Sequence, residues 1–160
     1  ENHPLYLNNN NTPLKAYEVY VDIDWTASSG IKSRIGFGSE TITRGGKVIN
    51  ARKGDKITRK EALDDLERIM TTITKPYVVG KLQERNIDYD KLDIRMQVII
   101  LDIAYNYGGN HKTLYNTFVA AIKKGKQGLI DELQRRADLG GGQVTTRRER
   151  EIDYLLNGTV

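Results

Sequence analysis

The chain has 160 residues and no cysteine, a length that buries roughly two thirds of the unfolded surface, without disulfides or thiolate metal sites. It holds 25 Lys and Arg against 21 Asp and Glu, a mildly basic balance that favours polyanionic partners without choosing among them. No apolar run approaches the ~20 residues of a membrane span, and Glu1-Asn2-His3-Pro4 lacks the basic-then-apolar order of a signal peptide. The expectation is one soluble domain over residues 1–160, with a β-rich lobe over 1–56 and a helical lobe over 57–160. His3 and His111 lie far apart without ligand spacing, so neither a metal nor a cofactor is expected.

Asn8, Asn9, Asn10 and Asn11 form a run whose side chains compete with the backbone for hydrogen bonds, so residues 5–12 read as loop. Residues 14–25 alternate with period two. Tyr17, Val19, Val21, Ile23 and Trp25 share one face, and Glu18, Tyr20, Asp22 and Asp24 share the other, the pattern of a half-buried strand. Thr26-Ala27-Ser28-Ser29-Gly30 supplies a turn, and residues 31–43 are expected to return as the second strand of a hairpin. Gly36 and Gly38 bracket Phe37 in that strand, leaving backbone open to a ligand or another segment. A third short strand is expected at residues 47–51.

Helix starts are marked by caps. Thr58 with Glu61 forms a capping box that opens an amphipathic helix through Ala62, Leu63, Leu66, Ile69 and Met70, expected to end before Pro76. A second helix, from about Asp93 to Gly108-Gly109, is apolar on several sides and reads as a buried central helix. Its one internal acid, Asp102, is expected at the edge or in a pair. Shorter helices are expected over about 113–123 and 126–137, then a hinge at Gly140-Gly141-Gly142. Thr146 with Glu149 forms a second capping box, opening a last helix that packs Ile152, Leu155 and Leu156. The late basic residues Lys123, Lys124, Lys126, Arg135, Arg136, Arg147, Arg148 and Arg150 are interrupted by Glu132, Glu149 and Glu151, which suits ion pairs at helical spacing.

Glu18, Asp22 and Asp24 lie on the polar face of the first strand, and paired acid and base work by single displacement needs two carboxyl groups about 6.5–9.5 Å apart. Residues two apart on a strand stand about 7 Å from each other and residues four apart about 13 Å. Asp22 and Asp24 therefore fit that spacing, whereas Glu18 and Asp22 fit it only if the strand bends.

Four signals in order resemble the phage-type lysozymes, the muramidases of endolysins and virion-associated wall-degrading proteins. They are Arg34-Ile35-Gly36-Phe37-Gly38-Ser39-Glu40-Thr41; Gly54-Asp55-Lys56-Ile57-Thr58 leading into Glu61-Ala62; Ala104-Tyr105-Asn106-Tyr107-Gly108; and Arg147-Arg148-Glu149-Arg150-Glu151. The first is closer to the virion-associated branch. The resemblance covers residues 14–156 and implies an α+β, lysozyme-like fold with a small hairpin lobe, a larger helical lobe and the polysaccharide in a cleft between them. It implies peptidoglycan as substrate, cleavage by single displacement, and a place in a virion beside other virion proteins, or release from the host cytoplasm to the wall.

In that family the general acid is a glutamate just before the first strand. Aligning Leu14-Lys15-Ala16-Tyr17 with the family's Leu-x-Ala-Tyr segment puts Asn10 at that position, and asparagine does not serve as an acid. If the asparagine run and the longer strand are insertions, Glu1 takes the place, with Glu18 the other candidate. The water-activating carboxylate maps to Asp22 or Asp24. Arg34 stands where small endolysins carry threonine, and its two-pronged donor set suits a carboxylate. Ser39, Tyr105, Asn106, Arg147 and Arg148 are the further substrate-binding candidates, although Arg147 and Arg148 equally suit salt bridges between helices. A non-catalytic wall-binding or virion structural module with this fold is the alternative. A nucleic-acid-binding domain has only the basic helices in its favour and lacks a recognised motif.

Overall fold

The computed structural model describes residues 23–27, 30–52, 54–107, 114–139 and 143–158, together with the side chains of most of them. The architecture is α+β: two antiparallel hairpins precede a run of helices. The described chain forms two compact units, residues 23–72 and residues 73–158, which divide within a π-helical turn at Met70–Thr74.

In the first unit, β1 (Ile23–Ala27) pairs with β2 (Gly30–Arg34) in the register Ile23 to Arg34 and Trp25 to Lys32. β3 (Thr41–Arg44) pairs with β4 (Lys47–Asn50), joined by Gly45-Gly46. The long return strand expected over 31–43 is thus two strands. The chain turns between them at residues 36–38, closed by paired backbone hydrogen bonds between Ile35 and Ser39 of 2.9 and 3.0 Å. Glycine causes the break: Gly36 has φ +63°, a conformation that costs other residues about 1–2 kcal/mol. It also abuts the next element, since a Cβ there would stand 3.2 Å from Ala62 Cβ. The glycines that read as an open strand wall instead make a tight turn, which presses onto the helix at Gly36 and leaves Gly38 in open space.

That helix, α1 (Arg59–Ile69), begins with the expected capping box. Thr58 Oγ1 accepts from Glu61 N at 3.2 Å, and Glu61 Oε2 accepts from Thr58 N at 3.5 Å. Arg44 Nη2 donates to Glu61 Oε2 at 2.9 Å and holds that carboxyl below its ordinary range. Ile35, Ile42, Ile57 and Ala62 form the small core of this unit, each large aliphatic side chain contributing about 1.5–3 kcal/mol by leaving water.

Pro76 does not end the helical course, as its missing N–H and ring led one to expect. The π-helical turn widens the backbone just before it, and α2 (Lys75–Gln83) follows. Thr71 Oγ1 donates to the Glu67 carbonyl at 2.8 Å and Thr72 Oγ1 to the Arg68 carbonyl at 2.6 Å, so side chains serve carbonyls in the altered stretch. In the second unit, α3 (Ile94–Tyr107) is the buried helix expected, capped by Asp93, whose Oδ1 accepts from Arg95 N at 2.9 Å. Met96, Ile99, Ile100, Ile103 and Ala104 are all buried along it.

A second π-helical turn, Leu114–Phe118, leads into α4 (Val119–Lys123) and α5 (Gly125–Leu139). The last helix, α6 (Gln143–Asn157), starts three residues before the Thr146 capping box, so Thr146 lies inside its first turn and does not cap it. Ile152 and Leu155 pack into the core as expected, whereas Leu156 is exposed. α3 packs against α2, α6 and the Leu114–Phe118 turn, while α5 packs against α4 and α6. Among the described residues no helix is long and apolar enough to cross a membrane.

Candidate functional site

The described part of the chain contains two polar networks built from residues of the motifs, one in each unit. In the first unit the network centres on Asp65 of α1, which is 1% exposed. Ser39 Oγ donates to Asp65 Oδ2 at 2.5 Å, Thr41 Oγ1 to the same oxygen at 3.0 Å, and Thr43 Oγ1 to Oδ1 at 2.8 Å. Arg68, one turn along α1, donates Nη2 to Asp65 Oδ1 at 3.3 Å and to Thr41 Oγ1 at 3.0 Å. Period-two spacing in β3 puts Thr41 and Thr43 on one face, and Ser39 joins them because the residue 36–38 turn brings it alongside. Every acceptor direction of the carboxylate is thus met by a donor from the hairpin or from its own helix. Ser39 was a substrate-binding candidate; its hydroxyl is buried and turned to Asp65. Nothing in the sequence before the fold was known tied Asp65 to Ser39, which are 26 positions apart.

The second network joins α3 to α6. Asp102 and Glu151 are each 1% exposed and Arg148 is 4% exposed. Arg147 Nη2 donates to Asp102 Oδ1 at 2.7 Å, and Arg147 Nε lies 3.7 Å from Glu151 Oε1. Arg148 Nη1 stands 2.5 Å from both carboxyl oxygens of Glu151. Glu151 and Asp102 also stand close enough in the interior for each carboxyl to feel the other. Burial first, then the Asp102 charge, push Glu151 well above its ordinary range, with Arg148 opposing. Burial and the neighbouring Arg147 charge lower Arg150, and Asp102 opposes that shift.

Helical spacing explains the grouping on α6: residues 147, 148 and 151 lie within one turn, so the Arg147-Arg148 pair flanks Glu151 on the side that meets α3. Asp102 is paired, as its place in an apolar helix required. The arrangement can store a proton and two charge-assisted contacts in a dry interior, but Asp102, Arg148 and Glu151 are closed to a polymer substrate. Arg148 therefore serves Glu151 within α6, while Arg147, with 38% of its side chain exposed, ties α6 to α3 and is the member an external anion can reach.

Of the remaining candidates, Asp24 lies on β1 opposite Ser33, and Arg34 lies on β2 opposite Ile23; their side chains are outside the description. Glu1, Glu18 and Asp22 fall outside the described residues. Tyr105 is half-buried in the last turn of α3, next to Asn106, whose side chain is not described. Among the described residues no group of three or more His, Cys, Asp or Glu side chains is arranged to hold a metal. Comparison of the chain with protein-family models, with curated proteins and with solved structures gave no match in any of the three.

Proposed function

We propose that the chain is a peptidoglycan hydrolase, a muramidase that opens the glycan strand by acid and base catalysis between two carboxylates, in phage lysis or wall penetration. One observation carries the reading. The motifs that resemble the phage-type lysozymes fall at the joints of an α+β fold: the Ile35 to Ser39 turn is fastened to α1 through Gly36, Ala62 and Asp65, and the Arg147-Arg148 segment is fastened to α3 through Asp102.

On this reading Glu1 or Glu18 protonates the leaving oxygen, and Asp22 or Asp24 orients and activates water. Arg34, Tyr105, Asn106 and the exposed edge of Arg147 contact sugar or peptide carboxylates. The test is turbidity loss of purified walls with assay of new reducing ends, for wild type and for Glu1→Gln, Glu18→Gln, Asp22→Asn and Asp24→Asn. One glutamine and one asparagine variant are expected to lose about 100-fold or more of the rate, with unchanged thermal melting. Release of no reducing ends by the wild type, with pelleting on walls retained, makes the chain a non-catalytic wall-binding or virion module. Undiminished lysis in all four variants overturns the carboxylate assignment.

A further inference from the structure

We infer that the corner between α4 and α5 is a docking surface for a linear wall polymer carrying a phosphodiester in each repeat. The choice of a wall polymer rests on the function proposed above. The argument runs by subtraction. Of the late basic residues, Arg135 and Arg136 are paired with Glu132, at 2.7 and 3.0 Å, Arg147 with Asp102, and Arg148 with Glu151. Arg150 feels Asp102. What remains is Lys123, Lys124 and Lys126, and none of the three has a hydrogen bond or ion pair among the described residues. Of the late basic run, the charge without an acidic partner therefore gathers at one corner.

The corner is held in shape. A Cβ on Gly128 would stand 2.5 Å from both the Ala121 carbonyl oxygen and Lys124 Cβ, so the first turn of α5 lies directly on the last turn of α4. Three lysines within four residues span at most about 11 Å of backbone. That suits successive charges on one flexible strand rather than the two phosphate rows of a duplex. Lysine presents a mobile point charge, which tracks phosphates without the fixed two-pronged geometry that arginine brings to a carboxylate. No apolar side chain is offered to a bilayer, since Ala121, Ile122, Leu129 and Ile130 are all buried.

The experiment is pelleting of the intact protein with Gram-positive walls before and after removal of the phosphodiester polymer with hydrofluoric acid, across a salt series. The variant K123Q/K124Q/K126Q is compared with K47Q/R52Q/K56Q, which removes the same charge from exposed positions in the other unit. The lysine-corner variant is expected to lose roughly tenfold or more in retention at low salt, with a shallower salt dependence. The control is expected to hold, and stripping the walls to erase the difference. Lysis of stripped walls should be equal in all three proteins, so a failure of glycan cleavage and a failure of docking read out separately. Equal loss in both variants, or retention indifferent to stripping, overturns the inference. So does tighter retention on single-stranded DNA or on phosphatidylglycerol vesicles than on untreated walls.

Discussion

Arg148→Met is expected to destabilise the protein by about 1–3 kcal/mol at neutral pH, the usual cost of leaving a buried polar group without its hydrogen-bond partner. The side chain that remains is about as long, so the loss is electrostatic rather than a cavity. Glu151 keeps a buried carboxyl beside Asp102 and loses its contacts from Arg148 Nη1. Arg148→Met with Glu151→Met should recover more than half of the deficit, because the orphaned carboxyl goes too. Urea unfolding of the single and double variants gives both numbers. A single variant as stable as wild type, or more stable, would remove Arg148 from the role assigned here.

The same cluster fixes the sign of a pH dependence. The unfolded chain releases the Glu151 proton near the ordinary value of 4.5, while the folded protein holds it to higher pH. Stability from that proton is complete below pH 4.5 and is lost as pH rises through the folded value. Wild type should therefore lose stability relative to Glu151→Gln as pH rises above 4.5. A wild type that gains on Glu151→Gln over that interval would show an ionised Glu151 in the fold.

What could be read from the sequence divides along physical lines. Helices with strong local signals were legible: the Thr58 and Glu61 capping box, the apolar course of α3, and the pairing required of Asp102 all follow from interactions within a few residues or from the penalty on a buried charge. The Gly36 and Gly38 pair was misread as a strand because a period-two pattern on either side continues through a turn that only φ reveals. Pro76 reads as a stop because local rules do not contain the option of a π-helical turn. The first helix was assigned to the helical lobe, yet α1 belongs with the hairpin unit, since its buried face meets Ile35, Ile42 and Ile57. Both polar networks depend on partners 22 to 45 positions apart, a separation that no local pattern reports. The glutamate and aspartate candidates around the first strand stand on resemblance and spacing.

Asp65→Ala is expected to cost about 2–4 kcal/mol, because hydrogen bonds to a charged acceptor contribute about 1.5–3 kcal/mol each and the donors left behind are partly recovered by water. Four donors lose their acceptor at once: the hydroxyls of Ser39, Thr41 and Thr43 and the guanidinium of Arg68. Ser39 is itself buried, so its hydroxyl is the member least able to turn to solvent. Asp65→Asn should fare little better. Its amide keeps one oxygen as acceptor but turns an NH2 toward hydroxyls that already donate, which sets donor against donor. The damage should be local: amide hydrogen exchange should accelerate in β3 and in the Ile35 to Ser39 turn, while α3 and α6 keep their protection, the reverse of Arg148→Met. The physical reason is that each network ties elements of its own unit, β3 to α1 in one and α3 to α6 in the other. Faster exchange in α3 on loss of Asp65, with β3 unchanged, would mean that the hairpin is held to α1 by its small apolar core alone.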